Sequence, residues 1–288
     1  MNVQRKSLIS VHIAVLLFGI SGLIAKLVDL PSSIITLGRV VFSSLFLFIW
    51  MKLRGQNIRL KERKDYVALF FAGIMLAVHW TTFMLSIQLS TVAIGTLTFS
   101  TFPLFVTFLE PYMFHEKLKK ESVASAVIMF LGVLYIVPEF TLGNRMTQGI
   151  VWGLVCSLSY SFLSLWNRKF AAEYTGKVIS MYEQGAAAIV LLPALFIFRP
   201  HPGAGDITGL ILYGVVCTAI AHSMFIEGLK HIRVQTAGII SGLESVYGIV
   251  AAVIILHEIP TAKELIGGAI ILGVVFYTTL RSEKEKKI

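Results

Sequence analysis

Long apolar runs separated by short polar connections are the main feature of this sequence. A helix needs about 20 apolar residues to cross the hydrocarbon core of a bilayer. A backbone in lipid must also form its hydrogen bonds internally, as a helix does. The pattern therefore predicts an all-α membrane protein with ten transmembrane helices. The predicted helices cover residues 8–28, 34–53, 66–89, 92–114, 122–137, 149–170, 178–198, 207–229, 236–256 and 265–280.

The composition indicates that lipid is the solvent of this chain. Hydrophobic residues make up 56% and charged residues only 14% of it, whereas soluble domains carry about 25% charged residues. The net charge of +9 comes from basic residues in the short connections, and membrane topology explains these, so we expect no nucleic-acid partner. Cys156 and Cys217 lie inside apolar runs without metal-ligand spacing, and we expect neither a metal nor a cofactor.

The distribution of lysine and arginine predicts the orientation of the chain. Of the 25 basic residues, twenty fall at the termini or in connections on one predicted side, four fall on the other side, and Arg39 lies within the second helix. Short connections rich in lysine and arginine stay in the cytoplasm. The sequence therefore predicts a multi-pass protein of the cell membrane, surrounded by the lipid bilayer, with both termini in the cytoplasm.

The two halves of the chain share landmarks at a nearly constant offset. The landmarks are the His-Glu pairs at 115–116 and 257–258, which are 142 residues apart, and three pairs that are 141 residues apart: Asp65 and Asp206, Gly73 and Gly214, Gly132 and Gly273. This offset predicts two five-helix units, residues 1–140 and 141–288. Because five is odd, the units enter the membrane from opposite sides, as inverted-topology repeats do.

Five residues accompany this repeat at distinctive places. Arg39 lies early in the second helix, Pro103 lies midway along the fourth, Glu116 closes the fourth, and Glu244 and Glu258 lie in the ninth. With the repeat, they resemble the drug/metabolite transporter superfamily, EamA type, and the resemblance covers nearly the whole chain. It implies a transporter that exports amino acids or other metabolites without hydrolysing ATP. It also implies a cavity lined by the first, third, fourth, sixth, eighth and ninth helices.

His79, Trp80 and Phe83 form a first group of candidate substrate-binding residues. His79 lies about 20 Å along the third helix at 1.5 Å per residue, and an ionisable residue at such depth is costly and often functional. Histidine can change its charge near neutral pH, and the two aromatic rings can stack on a substrate. The alternative is a neutral histidine that bonds a neighbouring helix.

Glu244 is the candidate at the centre of the ninth helix. It can bind a substrate amine or carry a coupling proton, because a buried carboxyl usually faces a cavity or a partner. The alternative is a structural pair with another buried polar group. Tyr247 lies one turn further on the same face and joins the binding group. Ser245 stands where the resembled family often has proline after the glutamate.

Arg39, Glu183 and Gln184 are candidate coupling or charge partners. Arg39 can attract an anionic group such as a carboxylate, or it can extend to the lipid headgroups. Glu183 and Gln184 occupy the corresponding place in the seventh helix.

Pro103 removes one backbone hydrogen bond and is predicted to kink the fourth helix. A broken helix at a transport site and a fixed packing kink both fit it. Thr98 and Phe99 just before it, and Tyr160 of the sixth helix, are predicted to line the cavity.

These patterns favour a secondary transporter, not an enzyme, that takes a small-molecule substrate. The hypothesis is export of amino acids or related small metabolites by alternating access, with a proton carried by Glu244 or His79 as a further hypothesis. Both a monomer and a homodimer fit. The alternative is a membrane-embedded enzyme or lipid-handling protein, which needs a cluster of polar residues at one membrane interface. We find no such cluster in the sequence, and lipid translocation stays open.

Overall fold

The structure, a computed structural model, describes residues 3–114, 120–139, 141–229 and 234–285. The regular elements in these residues are all helical. They are α1 (Val3–Ser21), α2 (Ile24–Leu27), α3 (Ser32–Leu53), α4 (Arg63–Leu89), α5 (Val92–Phe99), α6 (Phe102–Phe114), α7 (Lys120–Ile136), α8 (Arg145–Ala171), α9 (Gly176–Leu191), α10 (Pro193–Phe198), α11 (Ala204–Leu212), a π-helical segment (Tyr213–Ile220), α12 (Ala221–Leu229), α13 (Val234–Ile255) and α14 (Ala262–Glu285).

Seven helical stretches within the described ranges are long and apolar enough to cross a membrane. They are Arg5–Leu27, Ser32–Leu53, Arg63–Leu89, Val92–Tyr112, Arg145–Ala171, Gly176–Phe198 and Ala204–Gly228, and Ile240–Ile255 is a shorter apolar helix. The prediction of an all-helical chain with many membrane spans is confirmed at this level, and the count of ten stays a prediction. The His115-Glu116 landmark, with Glu116, lies outside the described residues.

The fourth predicted span is interrupted at Ser100 and Thr101, which separate α5 from α6. The Thr101 hydroxyl donates to the Thr98 carbonyl at 2.6 Å and so satisfies one backbone acceptor at the break. Pro103 is the second residue of α6, in the first turn, where a missing N–H removes no intrahelical bond. The ninth predicted span continues through Ser245 without a break in α13.

The most extensive helix contacts in the described part of the chain join the first half to the second. α4 packs against α8 and α9, α1 packs against α12 and α13, α3 packs against α9, and α7 packs against α14. Each half therefore buries its apolar surface mainly on the other half. This arrangement places the centre of the bundle at the boundary between the halves.

Hydrogen bonds near the ends of the helices define two ends of the bundle. At the end that holds the start of α1, Ser10 donates to the Met224 carbonyl at 3.4 Å, and the backbone N–H of Lys61 donates to the Tyr174 hydroxyl at 2.9 Å. We call this the N-terminal end. At the opposite end, Gln88 donates to the Leu30 carbonyl at 2.8 Å.

Gly73 and Gly214, which are 141 residues apart, pack in the same way against the other half. A Cβ at Gly73 would lie 2.6 Å from the backbone oxygen of Glu183 and 2.4 Å from the Cβ of Ala186. A Cβ at Gly214 would lie 2.8 Å from the backbone oxygen of Arg39. Small residues allow such close helix approach in lipid, where dispersion and polar contacts hold helices together. Arg39 and Glu183 therefore occupy equivalent positions, because the backbone oxygen of each lies against a repeat-related glycine of the other half.

We expect Gly73→Ala and Gly214→Ala each to lower the free energy of unfolding by about 1–3 kcal/mol, because an added methyl group overpacks the interface. Gly185→Ala and Gly273→Ala are matched controls, since a Cβ at either position meets nothing within 4 Å. Thermal unfolding of the four purified variants in one detergent measures the difference. Equal melting temperatures for Gly73→Ala and Gly185→Ala would contradict the packing described here.

Candidate functional site

Arg39 lies in the interior of the bundle, with only 3% of its surface exposed. Its guanidinium carbon is 3.7 Å from the centroid of the Trp80 ring and 4.4 Å from the ring of Tyr213. Its Nε donates to the Thr218 hydroxyl at 3.1 Å. Aromatic faces attract a cation, and more strongly where water is excluded. The structure therefore places Arg39 among aromatic rings at the centre, and not at the headgroups.

The guanidinium of Arg39 retains unused hydrogen-bond donors. It has five N–H groups in one plane, and the described residues supply it with the single acceptor on Thr218. The ion pairs formed by described residues within 4.0 Å do not include Arg39. Because the rings cover the faces of the guanidinium, the edge that carries the Nη donors is the part suited to bind a carboxylate.

Glu244 on α13 is the acidic side chain that interacts with the Arg39 cation. Its carboxylate and the Arg39 guanidinium interact electrostatically, without an ion pair within 4.0 Å among the described residues. A Cβ at Gly19 would lie 2.8 Å from the backbone oxygen of Glu244, so α1 and α13 approach closely at this level. The centre thus holds a cation and an acidic side chain that form no direct ion pair among the described residues.

A cavity of about 30 Å³ lies beside Glu244, room for about two water molecules. Pockets for metabolites usually measure about 300–1,000 Å³, so a substrate enters only if the surrounding helices move apart. The cavity is lined by Phe18, Phe99, Ser100, Phe102, Tyr160, Phe225, Ser241, Gly242, Glu244 and Val275.

Aromatic rings form one wall of this cavity. The rings of Phe99 and Tyr160 have centroids 5.1 Å apart, and Phe102 and Tyr160 are 5.0 Å apart, both in edge-on geometry. Such pairs gain attraction beyond their apolar burial. The break between α5 and α6 brings Phe99 and Phe102 against the same Tyr160 ring. Phe99 and Phe102 also stack on each other, with their centroids 5.7 Å apart.

His79 contacts the same wall but has a structural partner of its own. Its Nδ1 lies 3.1 Å from the carbonyl oxygen of Cys156 on α8. Its ring lies 5.3 Å from Phe99 and 4.9 Å from Tyr160. This geometry suits a histidine whose Nδ1–H donates to the carbonyl, the structural alternative of the sequence analysis.

The other predicted substrate residues lie around this centre and outside the cavity lining. Trp80 stacks on Arg39, and Phe83 packs edge-on against Phe99 with centroids 5.7 Å apart. The Thr98 hydroxyl donates to the Ile94 carbonyl at 2.6 Å and packs against Gly153 of α8. Tyr247, one turn beyond Glu244, packs against Gly19 of α1.

Glu183 and Gln184 form a second polar group on α9, and neither side chain is exposed. Glu183 accepts a hydrogen bond from the Asn167 amide of α8 at 3.4 Å. Gln184 accepts a short hydrogen bond from the Ser43 hydroxyl of α3.

Tyr213 and His222 belong to the centre and are absent from the sequence-based candidates. His222 lies edge-on to Trp80 at 5.9 Å, and its Nε2 has no hydrogen-bond partner in the part of the chain that the structure describes. The cost of an ionisable residue inside a span, which identified His79, applies equally to His222 and could have found it.

The end of the bundle opposite the N-terminal end is closed by polar contacts between the halves. Lys26 of α2 lies 3.6 Å from Glu258 and donates to the Ser90 carbonyl at 2.6 Å. Glu258 also accepts from the Val92 backbone N–H at 3.0 Å, and Glu264 accepts from Thr91 at 2.9 Å. These bonds join the first half to the connection between α13 and α14.

The comparisons with known proteins agree on one class. Residues 5–137 and 147–280 each match the EamA-like transporter family. A protein of Bacillus subtilis (strain 168) named "Uncharacterized transporter YxxF" is 24% identical over 99% of this chain and 93% of its own. "Uncharacterized inner membrane transporter YicL" of Salmonella typhimurium is 24% identical over 100% of this chain and 99% of its own.

Two further similarities extend this picture. A protein of Rickettsia felis named "S-adenosylmethionine uptake transporter" is 22% identical over 86% of this chain and 82% of its own. A solved crystal structure shares the fold, with a TM-score of 0.69, 18% identity, and coverage of 97% of this chain and 98% of that one. Since the family match spans most of both halves, the chain belongs to the EamA-like transporter family, within the drug/metabolite transporter superfamily, and is a multi-pass membrane protein.

Proposed function

We propose that this chain is a secondary transporter that exports amino acids or related small metabolites by alternating access. The observation that carries the proposal is the buried Arg39, whose remaining donors meet no acceptor among the described residues. Glu244, which interacts electrostatically with Arg39, lines the cavity. A site of this kind fits a substrate that bears both a carboxylate and an amine. Membrane transporters bind such substrates near the midplane, between their repeats.

The architecture proposed for this function is ten helices in two inverted five-helix repeats, residues 1–140 and 141–288. The double family match supports it, with one match in each half. The equivalent packing of Gly73 and Gly214 supports it as well. We further propose the orientation in the cell membrane that the basic connections predict, with both termini in the cytoplasm.

Alternating access requires that the centre open to one side at a time. The small volume of the cavity supports a closed state that must rearrange before a metabolite can bind. The bonds of Lys26 and Glu258 hold the two halves together at one end. In the proposed cycle these bonds break when the substrate leaves on that side.

The proposed substrate places its carboxylate on Arg39, its amine on Glu244, and its apolar part on the wall of Phe99, Phe102 and Tyr160. S-adenosylmethionine, named for the Rickettsia relative, is an amino-acid derivative of this chemical kind. That name concerns uptake, whereas the proposal here is export. A substrate exchange assay does not depend on the direction, so it suits the first test. We also propose that a proton gradient drives the transport of the substrate.

We expect exchange of amino acids in proteoliposomes to be saturable and to depend on both charges. Removing one partner of a buried charged contact costs about 2 kcal/mol or more, which corresponds to about 30-fold in affinity. Arg39→Gln and Glu244→Gln should each raise the substrate concentration at half-maximal exchange by that factor. The vesicles are loaded with an unlabelled mixture of amino acids, and entry of the labelled mixture is measured, with S-adenosylmethionine in a separate arm.

Arg54→Gln is the control, because the Arg54 guanidinium lies 4.9 Å from the ring of Trp50 on an exposed part of α3. It should leave exchange unchanged. Absence of saturable exchange in the wild type, for both the amino acids and S-adenosylmethionine, would reject the proposed substrate class. Unchanged exchange in Arg39→Gln would reject the proposed site.

We expect Arg39→Lys to lower the free energy of unfolding by about 2 kcal/mol, because a buried cation loses its stacking on two rings. Arg54→Lys should cost less than about 1 kcal/mol, since its ring contact is exposed. Both variants keep the charge, so the comparison isolates the planar stacking of guanidinium. Thermal unfolding in detergent measures both, and equal losses would contradict the buried stacking.

A further inference from the structure

We infer that Glu183 carries the proton that this transporter exchanges, at a buried site separate from the cavity that Glu244 lines. Its role in coupling rests on the proposed function, whereas the presence of the proton can be tested without transport. The site lies where α9 packs between α3, α4 and α8. The residues that line the small cavity do not include Glu183, Gln184 or Asn167.

Four buried polar atoms in this region have no hydrogen-bond partner among the described residues. They are Asn167 Oδ1, Ser180 Oγ, Glu183 Oε1 and Gln184 Nε2. Ser180, Glu183 and Gln184 are spaced three and four residues apart on α9, so their side chains share one face. Buried polar groups in folded proteins are nearly always paired, and a group of unpaired ones calls for a partner such as a bound water, an ion or a proton.

A proton on Glu183 supplies what this group lacks. The Asn167 amide already donates to Glu183 Oε2 at 3.4 Å, which leaves two acceptors, Asn167 Oδ1 and Glu183 Oε1, without a donor. A protonated carboxyl has one O–H donor and keeps acceptor capacity. Protonation therefore gives one of the two orphaned oxygens a bonding partner and removes a charge that lipid-like surroundings solvate poorly.

The charges around Glu183 do not provide a counter-ion. On the helices packed against α9 the inward titratable groups are Arg39 on α3, Asp65 and His79 on α4, Cys156 and Tyr160 on α8, and His222 on α12. Of these, Tyr160 interacts electrostatically with Glu183, and a neutral phenol does not compensate a carboxylate. The cation Arg39 interacts with Glu244 instead. A carboxylate at Glu183 would thus be isolated among the described residues, whereas the protonated form is not.

The packing of the halves supplies a route by which the proton is released. The turn of α9 that begins at Glu183 lies on Gly73, as the turn of α3 that begins at Arg39 lies on Gly214. In an inverted-repeat transporter the halves exchange roles when the bundle rocks. Glu183 then takes a place like that of Arg39 in the interior of the bundle, and as that region opens its proton can leave and the carboxylate can be hydrated.

A proton suits this site better than a metal ion. Glu183, Gln184 and Ser180 have no exposed surface. Gly73 of α4 packs directly against the turn of α9 that begins at Glu183, which leaves little space for an ion. The unpaired Gln184 amide is a donor and would face a bound cation unfavourably. A sodium ion needs several oxygen ligands and space, whereas a proton needs neither.

Infrared spectroscopy of the wild type in lipid nanodiscs tests the proton directly. At neutral pH we expect the carbonyl stretching band of a protonated, non-aqueous carboxylic acid, shifted to lower frequency in heavy water. Glu183→Gln should remove this band, and Glu183→Asp should shift it if Glu183→Gln fails to fold. Glu244→Gln is the control and should leave it in place. A wild type without the band, or a band lost in Glu244→Gln alone, would overturn the inference.

The same samples distinguish sodium from a proton. Replacing choline by sodium in the buffer should leave the band unchanged. If sodium removes the band at constant pH, a sodium ion competes for the carboxylate, and the proton is not the resident ligand. This reading does not involve a substrate, so it stands even if the proposed amino-acid substrates prove wrong.

Coupling is tested in proteoliposomes with the labelled amino-acid mixture. An imposed pH gradient should accelerate substrate flux in the wild type, and the ratio of flux with and without the gradient should fall to one in Glu183→Gln. The ratio is taken within each variant, so a general loss of activity does not imitate the effect. A gradient response that persists in Glu183→Gln and disappears in Glu244→Gln would assign coupling to Glu244 and overturn the inference.

Discussion

The stacking of Arg39 between Trp80 and Tyr213 is the interaction on which the centre of the bundle depends. A cation inside a membrane bundle needs compensation. Here α4 supplies the Trp80 ring, and the π-helical segment supplies the Tyr213 ring and the Thr218 hydroxyl. Aromatic faces stabilise the charge without neutralising it. The guanidinium therefore stays positive and keeps donors for a ligand, which a direct ion pair would have consumed.

The close approach of helices at glycine holds these groups in place. Gly214 brings the π-helical segment against the backbone of Arg39, and Gly19 brings α1 against the backbone of Glu244. Water is not available in lipid to drive apolar helices together, so such close contacts and buried hydrogen bonds determine which helices pair. The positions of the two opposite charges follow from the same glycines that hold the halves together.

Much of this fold could be predicted from the sequence because the bilayer imposes a requirement on each segment separately. Apolar length predicts helices one at a time, and the 141-residue offset of Gly73 and Gly214 predicts a repeat without any contact being known. Arg39, Glu183 and Glu244 could be found for a similar reason, because each is costly where it stands.

The pairing of those residues could not be predicted, because it joins positions far apart in the chain. Tyr213 meets Arg39 across more than half of the sequence, and nothing local marks Tyr213–Ile220 as π-helical. Particular glycines let the backbones of two spans approach closely and so determine which spans pack together. A hydropathy pattern does not identify these glycines. His222 is different, since its position inside the eighth predicted span marks it by the same cost as His79.

Arg39 in the first half and Glu183 in the second occupy equivalent positions but differ in charge, which suits the two halves to different roles. Arg39 keeps a permanent positive charge and so needs aromatic stabilisation in every state. Glu183 has no such support, and its carboxyl fits its surroundings only while it holds a proton. In the proposed cycle, an interior that alternates between dry and hydrated acts on the protonation of Glu183 and leaves the charge of Arg39 unchanged. One half is therefore suited to bind an anionic group throughout the cycle, and the other to gain and lose a proton within it.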